Sequence, residues 1–142
     1  MNPFQSLHEY ETFIYTLPQR YPHLVRSTLT VIRRSRLRAE VVGEVHWKNG
    51  IRLAIFEYLN CEAGAVEIVV YSYEVLRGTE KLYWYDSQPH PNEPMLASTQ
   101  PHHKHVPPDI KHHRIPAPEL SFTRPNLAFL ICEIDQQFPQ PA

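Results

Sequence analysis

The sequence predicts an α+β fold in which an antiparallel β-meander of about four to five strands is flanked by an N-terminal and a C-terminal helix. Three observations support it: apolar residues recur at helical spacing near both ends, alternate with polar residues through the middle, and are interrupted there by glycine-containing turns. The 142 residues suit a single domain, 1–142. We divide it into a helix over 1–18, an antiparallel sheet over 24–86, a long Pro/His-rich loop over 87–122 and a helix over 125–138.

Composition and charge are those of an ordinary globular protein, with 42% hydrophobic residues and a formal net charge of −1. No apolar run approaches the ~18 residues of a membrane-spanning helix, and the N-terminus lacks the basic and apolar regions of a secretory signal. We therefore expect a cytoplasmic protein without membrane contact. The two cysteines, Cys61 and Cys132, have the spacing of neither a disulfide framework nor a thiolate zinc site.

The N-terminal helix is predicted from a capping box and an apolar stripe. Ser6 and Glu9 have the spacing in which the serine oxygen accepts from an orphan amide and the glutamate reaches back to the cap. The apolar residues that follow at helical spacing are Leu7, Tyr10, Phe13, Ile14 and Leu17. We expect this helix to end before Pro18.

The hydrophobic period changes to two from Val25 onward, which predicts one long bent strand or two strands in sequence. The face opposite the apolar residues carries four arginines: Arg26, Arg34, Arg36 and Arg38. No acidic residue lies between positions 12 and 39, so this segment is strongly basic. A basic strand face suits RNA phosphates, with Arg34, Arg36 and Arg38 as the expected contacts, and an acidic protein partner is the alternative.

Turn signals predict the remaining strands, at 51–59, 65–76 and 81–86, with glycines at positions 64 and 78 in the turns between them. The sequence Lys-Asn-Gly at 48–50 indicates a hairpin, and a two-residue turn there would mix the two faces of the sheet. A three-residue loop with Gly50 in a left-handed bulge pairs Trp47 with Ile51 and keeps the apolar face intact. We predict that loop.

The stretch from 87 to 122 differs in character, because eight of the fourteen prolines lie between Pro89 and Pro118. Proline fixes its own φ and disfavours helix in the preceding residue, so we expect neither a long helix nor a central strand there. The prediction is a stiff, glycine-free loop against the sheet, and long loops in compact domains often carry function. Apolar residues at helical spacing after Pro125 then predict the C-terminal helix.

The strongest chemical signal in this loop is Pro101-His102-His103-Lys104-His105. In an extended segment, His103 and His105 point to one face, while His102 and Lys104 point to the other. Paired imidazoles can act as general base and acid on RNA, activating a ribose 2′-hydroxyl and protonating the leaving oxygen, while Lys104, Lys111 or Arg114 stabilises the charge on phosphorus. This mechanism needs neither a cofactor nor a metal.

Two other interpretations of the histidines stay open. The first is structural, because histidines in a Pro-rich loop can be solvated or can cap carbonyls. The second is a divalent transition metal bound by histidine, for which the available ligands are Asp86, His90 and the pairs at 102–103 and 112–113. The chain has no established metal-binding spacing such as His-Glu-x-x-His. We therefore predict no metal, with a metal-dependent nuclease as an alternative.

Aromatic residues on the strands before the loop are a second feature. Tyr71 and Tyr73 share one strand face, and so do Tyr83 and Tyr85. An unpaired RNA base can stack on such rings, and Tyr73 and Tyr85 are the candidate contacts. Half-buried sheet packing is the competing interpretation for each ring.

Five short motifs follow one another in an order that is familiar as a set. They are Glu57-Tyr58, Tyr71-Ser72-Tyr73, Trp84-Tyr85-Asp86, Pro89-His90-Pro91 and Pro101-His102-His103-Lys104-His105-Val106. Together they resemble the TumE-like toxin components of prokaryotic type II toxin–antitoxin systems, over about residues 25–138. The resemblance implies a ribonuclease toxin paired with a helix-turn-helix antitoxin. The functional positions that it implies are Asp86, His90, His102, His103, Lys104 and His105. Glu74 and Pro91 stand where the family pattern often has histidine.

From the sequence we therefore predict a toxin that cleaves RNA by histidine acid–base catalysis. His102, His103 and His105 are expected to transfer protons, Lys104 to hold phosphate, and Asp86 to orient a histidine. The alternative is a non-catalytic interaction or regulatory module whose arginines bind an acidic partner or nucleic acid. The expected partners are RNA and a helix-turn-helix antitoxin, with a homodimer as a further option.

Overall fold

The structure, a computed structural model, describes residues 4–87 and 102–139. These two ranges contain three helices and eight strands. In chain order the elements are α1 Leu7–Tyr15, α2 Leu17–Arg20, β1 Leu24–Ser27, β2 Thr30–Ser35, β3 Arg38–Trp47, β4 Ile51–Asn60, β5 Glu67–Arg77, β6 Glu80–Asp86, β7 His103–His105, β8 Arg114–Pro116 and α3 Leu127–Gln137.

The strands form one sheet in the order β1–β3–β4–β5–β6–β7–β8, and β2 also pairs with β3. The pairings among the described strands are antiparallel, which confirms the predicted α+β class and the meander. The β3–β4 hairpin has the predicted three-residue loop: Val45 pairs with Leu53, and Gly50 has a φ of 88°. No helix within 4–87 or 102–139 has the length and apolar character that crossing a bilayer requires.

The predicted count of about four to five strands is too low, first because residues 24–35 form two strands. β1 and β2 occupy successive stretches of the same edge of β3. Gly43 of β3 faces the break between them, where a Cβ atom would lie 2.6 Å from the carbonyl oxygen of Thr28. The stretch from Val25 to the turn at 48–50 was predicted as one strand or two, and it forms three, namely β1, β2 and β3.

The Pro/His-rich stretch adds β7 and β8, so the expectation that no central strand forms there was wrong. β7 lies between β6 and β8 and contains no proline, which leaves its three amides free to join the ladder. β8 ends in Pro116 and lies at the end of the strand order, where a missing N–H group is tolerated. In the described part of this stretch, residues 102–122, the high proline content still permits strands of three residues.

The predicted helices are present with small differences at their ends. Ser6 caps α1 by accepting a hydrogen bond from the Glu9 amide at 3.1 Å, and the Glu9 carboxylate accepts from the Gln5 amide instead of from the cap residue itself. α1 ends at Tyr15, and Pro18 lies in the first turn of the short helix α2. α3 carries its buried residues at the predicted spacing.

The helices pack against one face of the sheet, which we call the inner face. Tyr10 of α1 donates to Glu57 of β4 at 2.6 Å, and Tyr85 of β6 donates to Glu133 of α3 at 2.8 Å. Inner-face positions of β3 and β4 are buried, whereas the alternating positions on the outer face are only partly covered. The sheet therefore separates a hydrophobic core from a more exposed polar face.

Candidate active site on the outer face of the sheet

Three polar residues of β6 and β7 meet on the outer face because of the strand register. Asp86 lies opposite His103, and Trp84 lies opposite His105. His103 Nε2 contacts Asp86 Oδ1, and His105 Nε2 lies 3.3 Å from Asp86 Oδ2. One donor atom from each of the three residues lies within 4.8 Å of the others, a spacing that one metal ion can bridge. We call Asp86, His103 and His105 the Asp–His–His cluster.

The two imidazoles of the cluster are enclosed. The exposed fraction is 0% for His103 and 3% for His105. The His105 ring stacks on Trp84 with the ring centroids 4.2 Å apart, and its Nδ1 atom lies 3.0 Å from the Ile110 carbonyl oxygen. A carbonyl oxygen can only accept, so Nδ1 carries the proton of this hydrogen bond. The stacking and the hydrogen bond together fix which atom of His105 faces Asp86.

The environment of Asp86 keeps it ionised. Burial raises the pKa of this carboxyl, but hydrogen bonds and charge from His103 and His105 lower the pKa by more, and the net result lies well below the ordinary range. Asp86 is therefore a carboxylate at neutral pH. It can orient the two imidazoles or can bind a cation.

His102 and Lys104 lie on the inner side of β7, so they do not join Asp86, His103 and His105 in one site. His102 stacks on Tyr71, and its Nδ1 atom lies 2.6 Å from the Tyr71 hydroxyl. Burial, followed by charge from His103, lowers the pKa of His102, which favours the neutral ring that accepts from this hydroxyl. Lys104 Nζ lies 3.3 Å from a Glu133 carboxylate oxygen. These contacts attach β7 to the core.

The outer-face neighbours of the cluster come from β5, β6 and β8. Arg114 of β8 lies directly opposite His105, which places a guanidinium-bearing side chain beside the cluster. Trp84 separates His105 from Glu74, since Glu74 pairs with Trp84 on the far side. Glu74 is thus two strands away from His105. The cluster forms without a histidine at that position.

Of the three arginines predicted to contact RNA, two lie on the outer face of the sheet and form ion pairs with carboxylates. Arg34 forms an ion pair with Glu40 at 2.7 Å, and Arg38 forms one with Glu62 at 3.3 Å. Arg36 lies exposed in the turn between β2 and β3. The ion pairs reduce the net positive charge of this strip, so it is less suited to phosphate than its sequence indicates.

Tyr73 and Tyr85 were predicted to contact RNA, and this prediction was wrong because both side chains are buried. Both point to the inner face, with exposed fractions of 0% and 2%. Tyr73 donates to Glu57 at 2.5 Å, and burial raises the pKa of both phenols. Their rings belong to the core, where no base can stack on them. The last predicted site residue, His90, lies outside the described residues.

Two neighbours of the site were missed at the sequence level. The sequence alone does not distinguish Trp84 from the other aromatic residues on these strands. Its contact with His105 follows from the pairing of β6 with β7, and β7 was not predicted. Glu133 accepts from Tyr85 and pairs with Lys104, but nothing local marks it, because its role depends on how α3 docks.

Comparison with known proteins gives one match. The family model described as Toxin TumE matches residues 14–138. No curated protein and no solved structure shows significant similarity to the chain. The matched range covers most of the chain and includes the whole sheet, both members of the histidine pair and α3. The chain belongs to the TumE toxin family, and as such to the toxins that act with an antitoxin partner.

Proposed function

We propose that the protein is the toxin of a toxin–antitoxin pair and acts by cleaving RNA at the Asp–His–His cluster. Family membership supports the toxin role and an antitoxin partner. The observation that carries the enzymatic part is the convergence of one carboxylate and two imidazoles beside Arg114. Phosphodiester cleavage needs an activated oxygen nucleophile and a cation at the phosphate, and these groups are able to supply both.

Burial changes the roles expected from the sequence. A histidine that transfers a proton to RNA must present a ring nitrogen to the substrate. In this chain both Nε2 atoms are directed at Asp86, and His105 Nδ1 is held by the Ile110 carbonyl. We therefore assign the reaction centre to the cluster as a unit. This arrangement favours the metal-dependent nuclease over direct proton transfer by the imidazoles.

Arg114 is the side chain that we assign to the substrate phosphate. It lies opposite His105 on the edge strand, and its guanidinium is a permanent cation with several donors. His102 and Lys104 are assigned to holding β7 in place, because their contacts lie on the inner face. For the partner we propose a helix-turn-helix antitoxin, as the family resemblance implies.

The proposal is tested by RNA cleavage and growth inhibition with matched pairs of variants. Asp86→Asn is compared with Asp109→Asn, which alters an exposed aspartate that also faces a histidine, His112, at 3.2 Å. We expect Asp86→Asn to reduce cleavage by about 100-fold or more and to relieve toxicity, while Asp109→Asn changes neither. Arg114→Gln should weaken cleavage with a larger effect on KM than Asp86→Asn has.

Two results would overturn the proposal. The first is wild-type cleavage by a folded Asp86→Asn variant. The second is the absence of any RNA cleavage by the wild-type chain when it still inhibits growth, which would leave a toxin with another target. If a chelator leaves cleavage unchanged but Asp86→Asn abolishes it, the reaction follows the metal-free acid–base mechanism.

A further inference from the structure

Asp86 Oδ2 and His105 Nε2 lie close enough together to share a proton or a cation. Since His105 Nδ1 donates to the Ile110 carbonyl, the neutral ring has its lone pair on Nε2. That atom is enclosed and lies 3.3 Å from Asp86 Oδ2. A lone pair and a carboxylate oxygen repel each other at this distance in a buried site. Either a second proton on the ring or a cation relieves that repulsion.

The distances suit a cation. Two ligands that are each about 2.0–2.1 Å from a tetrahedral ion lie about 3.3–3.4 Å from one another. His105 Nε2 and Asp86 Oδ2 are separated by 3.3 Å, and His103 Nε2 contacts the other oxygen of the same carboxylate from two residues earlier in β7. All three donor atoms lie within 4.8 Å of one another.

The surroundings have the features of a metal centre. The Ile110 carbonyl orients His105 from behind, as a carbonyl or carboxylate behind a metal-binding histidine usually does. Trp84 stacks on the ring and limits its rotation. The set of two imidazoles and one carboxylate suits zinc and other divalent transition metals, and three protein ligands leave a coordination position for water.

We propose that Asp86, His103 and His105 bind one divalent transition-metal ion of the zinc class, with water or substrate oxygen at the remaining position. The strand register positions the ligands, because β7 presents His103 and His105 on one face beside the last residue of β6. A water bound to such an ion loses a proton near neutral pH and becomes a nucleophile. Metal binding itself does not depend on whether RNA is the substrate.

The test is calorimetric titration of the chelator-treated full chain with Zn²⁺, in the absence of RNA. We expect one tight site per chain, and we expect Asp86→Asn and His105→Gln each to weaken it by about 100-fold or more. The control is the double variant His112→Ala, His113→Ala, which removes two imidazoles outside the cluster and should leave the tight site unchanged. Visible absorption of the Co²⁺ form should report nitrogen and oxygen ligands in the wild type and should change in both cluster variants.

The proposal is wrong if folded Asp86→Asn and His105→Gln variants bind Zn²⁺ as the wild type does. It is also wrong if the tight site disappears in the His112→Ala, His113→Ala control, because that result would indicate adventitious binding at the surface. Circular dichroism and thermal unfolding of the metal-free variants establish that they are folded. Should His105→Gln fail to fold, Asp86→Asn alone decides the question, because the substitution keeps the shape of the side chain. If the chain binds Zn²⁺ but does not cleave RNA, the metal site stands and the proposed nuclease activity is refuted. If the chain cleaves RNA but does not bind Zn²⁺, only the metal site is refuted.

Discussion

Glu57 is a fully buried carboxylate, and it allows a quantitative test of how α1 is attached to the sheet. Tyr10 of α1 donates to one of its oxygens at 2.6 Å, and Tyr73 of β5 donates to the other at 2.5 Å. Tyr10→Phe removes the first hydrogen bond and keeps the ring in the core. A hydrogen bond to a charged group contributes about 1.5–3 kcal/mol, so we expect a loss of about 2 kcal/mol at a pH where Glu57 is ionised in the folded protein.

The loss should depend on pH. Burial raises the pKa of Glu57, while the hydrogen bonds from Tyr10 and Tyr73 lower it, and the pKa remains above its ordinary value. For a raised pKa, the stability that this group contributes is fully present below its unfolded pKa of about 4.3 and is lost as the pH rises through the folded pKa. Tyr10→Phe removes one lowering contact and raises the folded pKa further. The gap between wild type and variant therefore widens only as the pH rises through the folded pKa of Glu57, and a neutral hydrogen bond of about 1 kcal/mol is what remains below that pKa.

Thermal and urea unfolding over a pH series that starts at about pH 4 and passes through the folded pKa of Glu57 measure this effect. At ~2.1 cal/mol/K per residue, 142 residues give an unfolding entropy of about 0.3 kcal/mol/K. The expected Tm decrease is thus about 6–7 °C above the folded pKa of Glu57 and about half of that below it. The control is the same substitution in a Glu57→Gln background, where the cost should be similar across the series. A loss below about 0.5 kcal/mol throughout the series, or one that does not change with pH in the wild-type background, would refute the reasoning.

Two further predictions concern the positions that shape the sheet. Gly43→Ala should reduce the free energy of unfolding by about 3 kcal/mol, because φ is +133° and the new Cβ would collide with the Thr28 carbonyl oxygen. Urea unfolding measures this loss, and a loss below about 1 kcal/mol contradicts the prediction. Lys104→Met should cost about 2 kcal/mol in thermal unfolding, since it leaves the Glu133 carboxylate without its cation in a largely buried place. The same variant should bind Zn²⁺ with unchanged affinity, and a large loss of affinity would place Lys104 in the site instead.

The meander was predictable because its signals are local. Alternating apolar residues have the period of a strand, and a glycine lies in each of the turns that follow β3, β4 and β5. The loop at 48–50 was predictable to the residue, because only a three-residue loop keeps Trp47 and Ile51 on the same face. The capping box at Ser6 is equally local. In these places the sequence contains the information within a few residues of the feature.

The strands β7 and β8 were not predictable in the same way. Three residues are too short for a period to be recognised, and proline on either side argues against any strand. Residues 103–105 form a strand because they pair with the edge of β6. That edge exists only after the meander has formed. Tyr73 and Tyr85 illustrate the same dependence, since alternation showed that they share a face but not which face the helices cover.

The strand β7 explains why four adjacent polar residues, 102–105, have two different roles. Alternation turns His103 and His105 toward Asp86 on the outer face and turns Lys104 toward Glu133 on the inner face. The inner contacts hold the strand in register, and a slip by one residue would exchange the two sets of side chains. A substitution at His102 or Lys104 can therefore reduce activity by lowering the stability of the folded chain, without either residue touching a substrate. Loss of activity alone does not identify a catalytic residue in this segment. Metal affinity, measured beside activity, separates the residues that bind the ion from those that hold β7 in place.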